Sequence, residues 1–340
     1  MTVLNPQLEW KYDTREIKFT GRYRGDAEFY RKFPEADRYG QTAYISLEVP
    51  SLSKGLEVRV TESVAYLPGL PGFSFRPTNP NVPGEQTNEG VLTGRIDTFR
   101  NDASLTVGYG WTPRLKSSLI YLNLLTRYKG STLFDSDRHL AGVGIDYALT
   151  RLTTLTTFAN ASRIEFYGVS DRVMTYQFLT GINHQLDPNS FINGRVGVTV
   201  LNREKILFRP SFFLEAVKNF KSANFFIRYS GDTGTGGGLT AETTYFQRVT
   251  SRITKPLGER ASTFLQFGYA NNTAVTGSPF KIISYEAGAG IEVGLLSWLD
   301  GSLSYSYINQ KRIQESTTQR ERHLASLMLT ATAPDWMIWE

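Results

Sequence analysis

The residues with the most chemistry to offer are charged ones that recur at every second position. Lys18, Arg22, Arg24, Arg59, Arg100, Arg195, Arg209, Arg228, Arg248 and Arg252 lie opposite apolar stripes, together with Glu57, Asp102, Asp146, Glu215, Glu286 and Glu292. Burying such charges in a dry core costs several kcal/mol each (about that much even after relaxation), whereas a hydrated channel removes most of the cost. Arginine and carboxylate groups on neighbouring strands can form transverse ladders that narrow a bore. Their slight basic excess would favour anions or acidic sugars through a modest field. The same charges serve equally well as a solvated wall with no selectivity.

Other constellations offer less. The three histidines, His139, His184 and His323, fall on separate segments. A Ser-His-acid triad is recognised in space rather than by spacing, and nothing isolates one serine among many. Gly231 to Gly238 is glycine-rich, but it matches neither the P-loop nor the dinucleotide fingerprint, and no helix follows to supply a dipole. No acidic pattern matches a calcium loop, and no two histidines lie four apart for zinc. Cysteine is absent, which removes thiol catalysis, disulfides and Cys-ligated metals. No catalytic residue, metal or cofactor is expected, and the chain does not read as an enzyme.

The elements that must hold the charged positions are long strands. Ile283, Tyr285, Ala287, Ala289, Ile291 and Val293 alternate with Ser284, Glu286, Gly288, Gly290, Glu292 and Gly294. A period of two puts one set on each face of a strand. The polar set is too wet for a dry core, so the pattern predicts a transmembrane, antiparallel, up-and-down β-barrel. Strands are expected near 7–12, 15–30, 37–49, 55–67, 93–111, 116–129, 137–149, 152–167, 172–186, 190–203, 206–219, 223–231, 241–255, 262–272, 281–295, 300–311 and 321–333. Barrels of this kind usually have an even strand number, so sixteen to eighteen are expected, eighteen if a further strand precedes these. A soluble β-sandwich also alternates, but its strands run nearer five or six residues.

Turn chemistry orients the hairpins. Short connections fall at 51–55, 112–114, 149–151, 187–189, 218–221, 256–259 and 297–301, where Asp, Asn, Pro and Gly supply the dihedrals. Longer polar ones fall at 31–37, 68–90, 129–138, 230–238, 271–279 and 311–320. This alternation is the asymmetry of periplasmic turns and external loops. The lipid-facing stripes then include Ile17, Phe19 and Tyr23; Leu56, Val58 and Val60; Leu105, Val107, Tyr109 and Trp111; Val143, Ile145 and Tyr147. They continue with Ile192, Val196 and Val198; Leu265, Phe267 and Tyr269; Leu303, Tyr305 and Tyr307. Trp10, Tyr12, Trp111 and Tyr147 sit beside short turns, where an interfacial girdle belongs. His184 falls on the same side at such an interface. The Pro- and Gly-rich stretch 68–90 is long enough to fold into the mouth and constrict it, or simply to connect two strands.

Composition sets the outer bounds. The 340 residues read as one barrel domain, 1–340. No run of eighteen apolar residues exists for a transmembrane helix. The mean hydropathy of −0.28 still suits a barrel, half of whose strand residues face water. A net charge of +5 without any Lys/Arg block argues against a nucleic-acid partner. Met1 to Pro6 lacks the basic and apolar regions of a signal peptide, so a mature or trimmed form is expected.

The hairpins resemble a known family. Tyr109-Gly-Trp-Thr-Pro-Arg-Leu-Lys-Ser-Ser118, Asp137-Arg-His-Leu-Ala-Gly-Val-Gly-Ile-Asp-Tyr-Ala-Leu-Thr-Arg151 and His184-Gln-Leu-Asp-Pro-Asn-Ser-Phe191 are similar to its recurrent unit. In that unit a descending strand ends in an aromatic, a turn with proline and arginine follows, and an ascending strand begins. Asn5-Pro-Gln-Leu-Glu-Trp10 followed by Phe19-Thr-Gly-Arg-Tyr-Arg24 is similar to the family's early stretch. The family is that of outer-membrane β-barrel porins, including those associated with exosortase and exopolysaccharide gene systems. Its members usually begin with a signal peptide and a further strand, both absent here. They also tend to finish on a terminal aromatic, whereas this chain ends Pro334-Asp-Trp-Met-Ile-Trp-Glu340. The resemblance carries no catalytic residues and implies a passive or export role in a bacterial outer membrane, with polysaccharide as one cargo.

Three functions are therefore in view. The first is a porin-like channel in outer-membrane lipid, passing a polar solute or an exported polysaccharide through a charged, mildly basic lumen. The second is a structural barrel that anchors a surface assembly or threads a periplasmic or surface partner protein. The third, a membrane-embedded hydrolase, requires a histidine whose loss abolishes turnover.

Overall fold

In a computed structural model of the chain, the described residues are 2–4, 6–29, 38–53, 55–67, 97–129, 134–168, 171–202, 206–234, 243–275, 280–296, 298–313 and 317–331. The expected constriction at 68–90 lies outside them. The strands are β1 Thr2–Leu4, β2 Gln7–Asp13, β3 Lys18–Phe29, β4 Arg38–Ser53, β5 Leu56–Leu67, β6 Asp97–Thr112, β7 Leu115–Lys129, β8 Ser136–Ala148 and β9 Thr153–Phe166. They continue as β10 Asp171–Asp187, β11 Ser190–Asn202, β12 Ile206–Asn219, β13 Asn224–Gly234, β14 Thr244–Pro256, β15 Ala261–Ala274, β16 Lys281–Leu296, β17 Leu299–Ile313 and β18 Thr317–Ala331.

Each strand from β3 onward pairs antiparallel with the next, an up-and-down barrel wall without a crossover. β1 and β2 both pair with β3 (Leu4↔Ala27, then Gln7↔Arg24) and are two halves of one strand interrupted around Pro6. That gives 17 strands among the described residues, within the sixteen to eighteen expected. The sheet order sets β18 beside β2, but no residue register joins them among the described residues.

Bounds differ from the sequence reading mainly at the long-connection end. β13 runs on to Gly234, β15 to Ala274, and β18 begins at Thr317. There Gly, Asn, Thr and Gln residues that read as loop extend the ladders, because a paired backbone outweighs weak intrinsic strand preference.

The short connections close as their residues dictate. Thr112 Oγ1 accepts from the backbone N–H of Arg114 and Leu115, at 3.2 and 3.0 Å. Asp187 Oδ1 accepts from Asn189 N–H at 3.1 Å, an Asx turn around Pro188. Gly55 has φ 83°, a conformation other residues rarely take, and its carbonyl accepts from Gly110 N–H at 2.8 Å, tying one short turn to the next.

The two faces differ as a membrane barrel requires. Apolar side chains on one face stand open, with Val196 at 63%, Phe208 at 65%, Leu265 at 60% and Leu327 at 75% exposed. A continuous apolar coat of this extent cannot face water and marks a surface meant for another apolar phase. The predicted stripes all lie on this face, and Trp111, beside its short turn, packs edge-on against Tyr109 with centroids 4.7 Å apart.

Candidate functional site

Directly paired residues point to the same side of an antiparallel sheet, and so do positions two apart on one strand. Register therefore connects the charged positions around the wall. Lys18 pairs with Glu48 and Glu48 with Arg59. Arg59 pairs with Thr106, on the parity of Asp102 and Arg100, and Arg22 and Arg24 share the parity of Lys18. Arg100 pairs with Thr126, on the parity of Lys116, which pairs with Asp146. The chain of pairs continues through Thr156 and Gly181 to Arg195, then Phe213. Glu215, which shares the face of Phe213 and Arg209, pairs with Arg228, and Arg228 with Thr250, between Arg248 and Arg252. Thr250 pairs with Gly268 and Gly268 with Glu286, six residues from Glu292 on the same parity. All these residues stand on the face opposite the apolar coat, the inner one.

Two arcs of contacts form on that face. On β2 to β6, Arg22 donates to Glu9 Oε1 at 3.2 Å, and Lys11 lies 3.3 Å from the same oxygen. Arg59 grips Glu48 Oε2 through Nε at 3.0 Å and Nη2 at 2.6 Å. Arg100 donates to Asp102 Oδ1 at 2.9 Å along one strand, and Asp102 is buried.

The second arc, on β11 to β16, mixes arginine with phenylalanine. Arg228 donates to Glu215 Oε2 through Nε at 2.7 Å and also through Nη2. Its guanidinium lies 5.7 Å from the Phe213 ring and 5.5 Å from Phe226, while Arg195 lies 6.0 Å from Phe213 on the other side. Arg252 lies 4.1 Å over Phe264 and reaches Glu292 Oε1 at 3.0 Å, spanning β15. Gln266 donates to Glu286 Oε1 at 3.3 Å, and Arg248 lies within electrostatic reach of Glu286. The Phe264 ring under Arg252, and the Phe213 and Phe226 rings near Arg228, give these cations apolar as well as carboxylate neighbours.

Sequence reasoning missed the partners. Glu9 and Glu48 belong to the inner parity and were legible from it, as were Lys11 and Lys116. The uncharged network of Asn160, Gln177, Thr199 and Ser211 around Asp232 had no signal, because neutral polar residues on that parity look alike. Each histidine lies on the outer face: His139 Nδ1 is 2.8 Å from Tyr121 OH, His323 Nδ1 is 2.7 Å from Tyr305 OH, and His184 Nδ1 is 2.9 Å from Thr153 Oγ1. They are far apart in the wall and form no triad with one another.

No protein family and no curated protein matches the chain. Among solved structures it is similar to the siderophore receptor PirA of Pseudomonas aeruginosa, with 10% identity and a TM-score of 0.47 over 96% of this chain and 67% of that one. It is similar to P. aeruginosa FpvA bound to a pyoverdine, with 8% identity and a TM-score of 0.48 over 96% of this chain and 63% of that one. It is also similar to the ferric-catecholate import receptor Fiu of E. coli, with 8% identity and a TM-score of 0.47 over 96% of this chain and 72% of that one. Against the FrpB iron transporter of Neisseria meningitidis, at 7% identity and a TM-score of 0.47, the chain covers 60% of that chain's length.

Proposed function

We propose that the chain is a channel of the bacterial outer membrane that passes a polar solute through a mildly basic lumen. One observation carries the reading: a single residue parity, followed through every ladder, puts arginines and carboxylates on the inner face and an apolar coat on the outer. Only a barrel with lipid outside and water inside satisfies both faces at once. The unequal connections orient it, short turns toward the periplasm and long ones outward. Its partners are then outer-membrane lipid and the solute itself.

The finer reading is an acidic solute, with an exported polysaccharide as the cargo that the family resemblance implies. The arginine–phenylalanine arc supports it, since guanidiniums bind carboxylates and rings give sugar faces a flat platform. The test is conductance of the purified barrel in planar bilayers under a salt gradient. Steady conductance with a reversal potential on the anion side is the expected result; a silent bilayer rules out simple diffusion.

A second reading has its own observation. Ile164, Val173, Leu201 and Ile282 lie on the inner parity toward the long connections, and all are sealed from water. Buried apolar side chains there, beside the equally buried Thr244 and Asn272, suit a structural barrel that threads or anchors a periplasmic or surface partner. Co-purification of that partner with a silent barrel favours this reading over the channel.

A further inference from the structure

Every strand from β3 to β17 is paired along both edges, but the first and last strands are not. Among the described residues, β1 and β2 pair only with β3, and β18 pairs only with β17. The wall therefore has a seam where β18 stands beside β2 with no ladder between them.

Strand count explains the seam. Each strand is antiparallel to the one before, so an odd number leaves β2 and β18 running the same way. Asp13 ends β2 before the tight connection closed by Thr14 and Ile17, and Ala331 ends β18 opposite Leu299, at the same short-turn rim. Two such edges can meet only in parallel, with slanted bonds unlike those of any other ladder described in this wall. One strand running the opposite way would pair antiparallel with both.

Both edges lie open. All seven residues of β2 are exposed, the inward-facing Gln7 and Asp13 as well as the outward Leu8, Trp10 and Tyr12. On strands paired at both edges, inward residues such as Glu215 and Glu286 are buried. Across the seam Leu327 is the most exposed large apolar side chain described, with Leu329 next to it on the same face. These apolar residues set both edges at the depth of the lipid, where an unpaired backbone N–H or C=O has no water to bond. An open edge of that kind is a template for another strand.

The β18 edge also carries a sign. Its inward-facing charges are Arg320 and Arg322, which pair with Gln310 and Ile308 toward the long connections. Neither forms an ion pair with a described residue. Glu321, between them in the chain, points to the other face, where Asn309 donates to it at 3.1 Å. On β2 the signs are mixed, and Glu9 is already shared by Arg22 and Lys11.

We propose that the seam between β2 and β18 is an acceptor for one strand of a partner protein. The segment starts at the short-turn rim, runs antiparallel to both edges, turns apolar side chains to lipid and sets carboxylates against Arg320 and Arg322 near its end. A second copy of this chain cannot supply it from its own edges, because in one membrane both run the same way as these. The site rests on the wall lying in lipid, as the proposed channel does, but not on conduction through the lumen.

The chain has no cysteine, so introduced ones report cleanly. The probe is a synthetic peptide of about ten residues, the length of a membrane strand, with cysteine first, leucine alternating with serine, and glutamate at the last two serine positions. It is mixed with the full chain folded in detergent and carrying Tyr12→Cys or Leu329→Cys, one on each edge, with heat-modifiable migration on a gel to show that each variant is folded. The expected result is a mixed disulfide with both variants, about tenfold over a peptide of the same composition without the alternation. Arg320→Gln with Arg322→Gln should lower capture severalfold, and should leave unchanged the capture of a peptide with glutamine for glutamate. Trapping on one edge only, capture no better than the control peptide, or disulfides between two copies in place of peptide overturns the acceptor. So does a direct disulfide, in the chain carrying both changes, that excess peptide does not suppress. Planar-bilayer conductance separates the failures: conduction without capture sinks the acceptor alone, and capture by a silent barrel sinks the channel alone.

Discussion

Gln177 Nε2 on β10 donates to Asp232 Oδ2 on β13 at 2.8 Å, with two strands between them. Three strand spacings of ~4.8 Å span about 14 Å in a flat sheet, beyond the reach of these two side chains. The wall is therefore sharply concave on its inner side here. The intervening strands fill the arc: Thr199 and Ser211 hydroxyls lie 3.2 and 3.3 Å from Asp232 Oδ1 and 2.6 Å from each other. One hydroxyl proton must serve the other hydroxyl, so the network is directional. Asp232→Ala strips the acceptor from Gln177 and from Thr233 N–H, which donates at 2.8 Å. We expect about 1–3 kcal/mol of destabilisation, read as a lower urea midpoint for the barrel folded in lipid vesicles. Asp232→Asn, which keeps an acceptor oxygen, should lose less.

The same bend makes two glycines obligatory. A Cβ built on Gly197 would sit 1.8 Å from Phe178 O, and one on Gly181 1.9 Å from Gly194 O. Both contacts are to backbone, so nothing flexible can yield. Gly197→Ala should exceed the ~1–3 kcal/mol of ordinary overpacking and abolish the folded, heat-modifiable band on a gel. Gly194→Ala is the control: its Cβ faces outward, 3.7 Å from Leu214, and should fold normally.

How much of this was legible in the sequence follows from what a period of two encodes. Parity alone separates Val196 and Val198 from Arg195, because one face must be apolar and the other wet. It also puts Arg228 and Glu215 on one face, although only the register shows that they pair. It says nothing of curvature, so the contact of Gln177 with Asp232 and the need for Gly197 were invisible. The ion pair of Arg252 with Glu292 was hidden for the same reason, because it jumps a strand.

Arg228 sits in the second inner-face arc, holding Glu215 while lying near the rings of Phe213 and Phe226. Glu215 is 4% exposed, so removing its cation leaves a buried carboxylate without its ion-pair partner. Arg228→Met should cost about 3–5 kcal/mol, and Arg228→Lys less, because one bond to Glu215 survives. Glu215→Gln with Arg228→Met should recover much of the loss, since both charges leave together. In bilayers, Arg228→Met should move the reversal potential toward cations if the arc lines the conducting path.

The short-turn rim carries a switch in stability at acid pH. Asp187 sits where β10 gives way to its turn, at the periplasmic end of the proposed orientation. The ammonium of Lys218 donates to its Oδ2 at 2.8 Å. Hydrogen bonds from Lys218 first, then from Ser190 and Asn189 N–H, pull the carboxyl from 3.8 down to about 2. A carboxyl lowered on folding stabilises the folded chain at every pH above its unfolded value. That contribution shrinks as protons begin to bind the unfolded chain near pH 4 and is gone once the folded carboxyl is protonated near pH 2. Asp187→Asn should therefore lower the unfolding midpoint at pH 7 and remove part of the decline between pH 4 and 2, with Lys218→Met matching it. The group is exposed, so high salt should shrink the difference between variant and parent. Urea unfolding of the vesicle-inserted barrel at pH 7, 4 and 2, each with and without salt, measures it directly, and parallel decline in both proteins would show that this pair is silent.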